Sequence, residues 1–259
     1  MGSFRNYGYR FNWRGAFPPA IKTLIISCAA VFFGQTLIGA FWGREPVQWI
    51  WNHFGMMPAA VTHFFFVWQL FTYLFLHASI WHLLLNMLFL WMFGADLERA
   101  WGTRRFYSYY FTCGAGAALV EVLVKTLLDP HAHGTATIPT IGASGAIYGV
   151  LIAAAVIFPD RQVWIIPFPV TLPMRVYVLV MAGIEFYSSL SSGGGDGVSH
   201  VCHLGGMAVG YLYLRRSSFF YDVRNKYSDW QRKRLRRKFE VYARDHSDKP
   251  PSRPDNWVN

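Results

Sequence analysis

The chain has 259 residues, 24 Lys and Arg against 14 Asp and Glu for a formal net charge of +10, and it is 53% apolar but only 15% charged. A soluble globular chain carries about 25% charged residues, so the deficit excludes an ordinary soluble enzyme, and 18% aromatic content excludes disorder throughout. The basic excess suggests nucleic-acid binding, yet residues 215–259 alone hold 13 of the basic and 6 of the acidic residues. The charge is mostly a tail, and the rest reads as membrane.

Residues 1–19 lack a short apolar core followed by a small-residue cleavage site, so no removable signal peptide is expected. A bilayer crossing needs about 20 mostly apolar residues. Residues 20–42 supply the first once Lys22 snorkels at the edge. The connection 43–80 is rich in Trp49, Trp51, Phe64, Phe65, Phe66 and Trp68. It reads either as a structure lying at headgroup level or as a buried amphipathic loop. Residues 81–97 and 106–128 are the second and third crossings, and 144–158 is a shorter fourth that ends at Pro159-Asp160. Residues 172–190 and 200–214 complete a six-helix, all-α membrane protein with the basic tail 215–259 behind it. Cys28, Cys113 and Cys202 each sit in an apolar stretch with no CxxC pair, so they read as packing residues.

Cytoplasmic loops collect Lys and Arg. Six crossings put both termini on one side, and that side receives 22 of the 24 basic residues, leaving only Arg44 and Lys125 opposite. Both termini are therefore expected in the cytoplasm, with the chain in a bacterial inner membrane.

Ionisable and polar groups at membrane depth are costly and point to function. The fourth segment opens GASG (residues 142–145), which leaves Ser144 readable as a helix N-cap or as a nucleophile. In the sixth, His203, Gly206 and Gly210 stand at i, i+3 and i+7 on one face, and Gly145 and Gly149 are four apart on the fourth. Two small-residue faces allow close helix contact, which would bring the His203 imidazole to the Ser144 hydroxyl and activate it. Tyr148, one turn after Ser144, is placed to stack on His203. On the second segment His82 and Asn86 share a face and can donate to a developing oxyanion. Neither the Ser144 nor the His203 segment contains an acid, so the reading is a Ser–His dyad. Asn86, Ser144, His200, His203 and Glu185 would line a path for water from the outer side.

These residues resemble a known family. HASIWHLLLN (residues 77–86), followed by Gly94 and Leu97-Glu98, resembles the second-helix signature of rhomboid intramembrane serine proteases. Gly142, Ser144, Gly145 and Tyr148 resemble their nucleophile helix, and His203, Gly206 and Gly210 their histidine helix; the likeness runs over residues 68–214. It implies Ser144 as nucleophile, His203 as general base and acid, and His82, Asn86 and the Ser144 N–H as the oxyanion hole. It also implies that Glu98 ties the long first loop to the helices, and that substrates are single-span or polytopic membrane proteins cut near small or helix-breaking residues. The family often has Trp-Arg in the first loop where this chain has Trp68-Gln69, a departure that bears on the loop's anchoring.

Other intramembrane chemistries fit less well. HExxH is absent, and His200 with His203 has no third ligand of evident spacing, so no metal and no cofactor are expected. Residues 193–196 match GxGD in a polar loop, but the only Tyr-Asp pair, Tyr221-Asp222, is in the tail. A transporter finds support in Glu121 and Glu185, but Glu121 can pair with Lys125 at i, i+4. The alternative of weight is a non-catalytic rhomboid-like binder of transmembrane helices, acting in quality control or trafficking. For the tail, the basic run at 230–238 just after the last crossing favours an anionic cytoplasmic leaflet over nucleic acid, at about 1 kcal/mol per basic residue near the surface.

Overall fold

The computed structural model describes residues 17–128, 134–164, 170–191 and 199–216, together with positions 229, 230, 232 and 236. The first 16 residues, the GxGD match at 193–196, Tyr221-Asp222 and the rest of the basic tail lie outside the described residues.

Every apolar segment expected from the sequence contains a helix. The first is α1 (Pro19–Trp42), with proline at its first position, where the missing N–H costs nothing. The connection after it folds into α2 (Arg44–Phe54), α3 (Pro58–His63), α4 (Gln69–Thr72) and a 3-10 turn, Tyr73–Phe75. Next come α5 (Ile80–Trp101) and α6 (Thr103–Leu128), then a second 3-10 turn (Thr135–Thr137) and α7 (Ser144–Ile157). A short antiparallel pair follows, β1 (Gln162–Trp164) with β2 (Thr171–Pro173), which the sequence pattern had not indicated. It leads into α8 (Met174–Ser191) and α9 (His200–Arg215).

Among the described residues three helices, α1, α5 and α6, are long and apolar enough to cross a membrane by length and composition. The shorter α7 has 14 residues, about 21 Å at 1.5 Å per residue, against a hydrocarbon core about 30 Å thick. It forms the centre of the bundle: α5, α6, α8 and α9 all pack on it, and Ala146, Ile147, Val150, Leu151, Ala153 and Ala154 are buried. Apolar side chains also cover the outside, among them Phe33 and Leu37 on α1, Leu84 and Leu85 on α5, and Leu179 and Phe186 on α8, all exposed. A contiguous apolar exterior of this kind suits lipid better than water. Cys28, Cys113 and Cys202 are buried and unbridged, packing as the sequence suggested.

The connection 43–80 is exposed over much of its length. No residue of α2 is buried, and Trp49, Phe64, Phe65 and Trp68 are largely exposed. Its inner edge is nevertheless firmly tied. Gln69, fully buried, accepts from the Met57 N–H (3.0 Å) and donates to the Asn52 carbonyl (2.9 Å), while Trp68 donates to the His53 carbonyl (2.8 Å). The glutamine that departs from the family's Trp-Arg pattern is thus itself an anchor. Glu98 has a different task from the one the resemblance implies. Its carboxylate accepts the Ala20 and Ile21 N–H groups at 2.8 and 3.0 Å and the Thr103 hydroxyl at 2.7 Å. It caps the start of α1, where free N–H groups attract an anion, and among the described residues its hydrogen bonds come from α1 and α6.

The small-residue faces meet as expected. A methyl group built on Gly206 would lie 1.9 Å from the Gly145 carbonyl oxygen, and one on Gly210 would lie 3.0 Å from the Gly149 Cα. The α7 and α9 backbones touch here, so Gly206→Ala must force them apart. The expected result is a loss of about 1–3 kcal/mol, read as a lower melting temperature in detergent; an unchanged melting temperature would contradict this contact.

Candidate active site

The start of α7 is positioned by the chain before it. Met56 and Thr140 exchange backbone hydrogen bonds at 2.9 and 2.8 Å, and the Gly142 N–H donates to the Tyr73 carbonyl at 2.9 Å. Thr140 also donates to Glu121 at 2.6 Å, and Glu121 pairs with Lys125 at 2.5 Å. The Glu121–Lys125 pair foreseen in the sequence is therefore present and serves to pin the approach to Ser144. Gly142 has φ +125°, in the region that favours glycine, and a methyl group there would sit 2.7 Å from His82 Nε2. Only glycine lets the chain turn into α7 so close to that ring.

Ser144 is the first residue of α7, and its side chain does not cap the helix; Ala143 holds the cap position without a side-chain bond. The hydroxyl instead lies 2.7 Å from His203 Nε2. His203 is buried on α9, and its ring stacks on Tyr148 with centroids 4.3 Å apart and planes 17° apart. The contact of Gly145 with Gly206 is what brings Ser144 and His203 within reach across the two helices.

His82 and Asn86 rise from α5, whose start is capped by Ser79 accepting the His82 N–H at 3.2 Å. Both approach Gly142: a methyl group there would meet His82 Nε2 at 2.7 Å and Asn86 Nδ2 at 3.6 Å. Asn86 is buried, and among the described residues its Nδ2 has no hydrogen-bond partner. A buried donor left unpaired is costly, so this amide is poised for an acceptor that arrives with a substrate. His82 in turn packs edge-on against His77 at 5.1 Å.

The structure brings Glu185, expected only along the water path, into direct contact with the histidine. Glu185, on α8, accepts from His203 Nδ1 at 2.9 Å and from His200 Nδ1 at 2.7 Å with one carboxylate oxygen. The other oxygen accepts the Tyr148 hydroxyl. No acid lies on the α7 or α9 segment, but one reaches the histidine from a third helix. The same residue is the third potential ligand that spacing did not reveal: Glu185, His200 and His203 offer one ligand atom each within 4.8 Å of one another. A cation bound there would require both Nδ1 protons to leave and would compete with the carboxylate for His203. As arranged, the site can transfer a proton from a serine hydroxyl to a histidine and present an amide donor beside it.

The model of the family described as the Rhomboid domain matches residues 64–217. The chain is similar to Rhomboid protein 1, mitochondrial, of Saccharomyces cerevisiae, 32% identical over 139 residues, or 54% of this chain and 38% of that protein. It is also similar to Rhomboid protease GluP of Bacillus subtilis, 29% identical over 146 residues, or 56% of this chain and 25% of that protein. With Rhomboid protease GlpG of Salmonella choleraesuis the identity is 25% over 149 residues, or 57% of this chain and 47% of that protein. The chain thus spans less than half the length of each of these curated relatives.

Proposed function

The chain belongs to the rhomboid family, and on that footing we propose that it is an intramembrane serine endopeptidase that cleaves a peptide bond in or next to a transmembrane segment of membrane-protein substrates. The observation that carries the reading is the 2.7 Å contact between Ser144 Oγ and His203 Nε2. Relatives named as rhomboid proteases support the reaction class.

In the proposed cycle, Ser144 Oγ attacks the substrate carbonyl carbon as its proton passes to His203 Nε2. The carbonyl oxygen becomes an oxyanion that takes hydrogen bonds from Asn86, His82 and the Ser144 N–H. Collapse expels the amine, which leaves with the proton from His203, and water then hydrolyses the acyl-enzyme by the same route. Ser144 is half-buried, open enough to be reached. A substrate helix must unwind locally, since its carbonyls are otherwise hydrogen-bonded within the helix.

The family and the three long apolar helices mark an integral membrane protein. Within it, α1 and α5 to α9 are read as six crossings of a membrane domain at 20–214, with 43–80 partly embedded and both termini cytoplasmic. The tail 215–259 is read as lying on acidic lipid, not on nucleic acid. The bacterial inner membrane is one of two settings the relatives suggest; the other is mitochondrial.

The test is incubation of the detergent-purified chain, in EDTA, with a labelled peptide that forms a membrane helix. Fragments accumulating well beyond one equivalent of protein are expected. A stoichiometric complex with intact peptide would favour the non-catalytic binder, and cleavage that stops in EDTA and returns with zinc would favour metal chemistry.

A further inference from the structure

Glu185 sits on a helix that supplies neither the serine nor the histidine, and only 6% of it is exposed. Its surroundings are donors from two neighbouring helices: His203 and His200 of α9 on Oε2, and the Tyr148 hydroxyl of α7 on Oε1. An ionised carboxylate can only accept, so each imidazole must face it with Nδ1–H. For His203 this decides the tautomer. The proton is held on Nδ1, and the lone pair is left on Nε2, the atom 2.7 Å from Ser144 Oγ. A histidine without that partner is free to carry its proton on Nε2, where it cannot accept the serine proton. Tyr148 fixes both members at once, because its ring stacks on His203 while its hydroxyl holds the carboxylate.

We propose that Glu185 is a positioning residue that turns the Ser144–His203 pair into a three-helix Ser144–His203–Glu185 relay, with His200 and Tyr148 fixing its carboxylate. The inference rests on the serine-protease reading above. When Ser144 attacks, its proton moves to His203 Nε2 and the ring becomes an imidazolium. Glu185 takes no proton; it keeps the Nδ1–H bond and opposes the new positive charge from 2.9 Å, a distance at which a water-poor setting makes charges interact strongly. His200 holds the same oxygen at 2.7 Å and so restrains the carboxylate from the other side.

The test compares the full chain with Glu185→Gln and Ser144→Ala in the membrane-peptide assay. Glutamine keeps the shape, removes the charge and can turn an N–H toward His203, which permits the wrong tautomer. The expected result is a fall in kcat of about 10²- to 10⁴-fold with KM little changed, since Glu185 acts through His203. If Glu185→Gln cleaves at the wild-type kcat while Ser144→Ala is inactive, the relay is overturned and the protease reading stands. If Ser144→Ala itself cleaves, the protease reading falls and the relay with it. Should Glu185→Gln fail to fold, the nitrogen-15 shifts of the wild-type His203 ring decide. Protonation at Nδ1 in the resting protein supports the relay, and protonation at Nε2 overturns it.

Discussion

Ser144→Ala and His203→Ala are each expected to lower kcat by about 10⁴-fold or more, and the double variant is expected to be no worse than either alone. The two side chains act as one unit: without the imidazole the hydroxyl keeps its proton, and without the hydroxyl the imidazole has nothing to activate. Their 2.7 Å separation across α7 and α9 is the geometry such coupling requires. Residual turnover would come from the oxyanion donors and from binding alone. The measurement is single-turnover cleavage of a membrane-helix peptide by the four proteins at equal folded concentration. Strictly additive losses would mean that serine and histidine contribute independently, which this geometry does not allow.

The second large effect is expected at Asn86. Its buried Nδ2 has no partner among the described residues, a state that costs about 1–3 kcal/mol while it lasts. An oxyanion forming beside Gly142 and Ser144 would relieve that cost only in the transition state, which is how a donor accelerates a reaction instead of merely tightening binding. Asn86→Leu, similar in size and apolar, is therefore expected to lower kcat by about 10²- to 10³-fold while the melting temperature holds or rises. His82→Ala tests the other donor and should lower kcat in the same direction. Loss of several degrees in melting temperature with unchanged kcat would make Asn86 a structural residue.

What could be read from the sequence was what repeats along one helix. The segment containing Ser144 and the one containing His203 carry glycines at helical spacing, and those glycines are where the backbones touch. Tyr148 is one turn from Ser144, so its stacking on His203 followed once the two faces met. His82 and Asn86, also one turn apart, both reach Gly142. What escaped was contact between residues that no period links. Glu185 reaches His203 because α8 packs on α9, and a separation of 18 along the chain follows from no pattern within either helix. Glu98 was assigned the first loop by resemblance, yet its carboxylate accepts the free N–H groups at the start of α1. Gln69 shows the reverse case: its departure from the family pattern looked like a lost anchor, but a glutamine both donates and accepts, and here it does both.

Reaction of the detergent-purified protein with a fluorophosphonate, followed by mass spectrometry of its peptides, identifies the nucleophile without a substrate. One phosphonyl adduct is expected, on Ser144, formed in the wild type and nearly absent in His203→Ala. An active protein that carries no adduct, or carries it on another serine, would contradict Ser144 as that nucleophile.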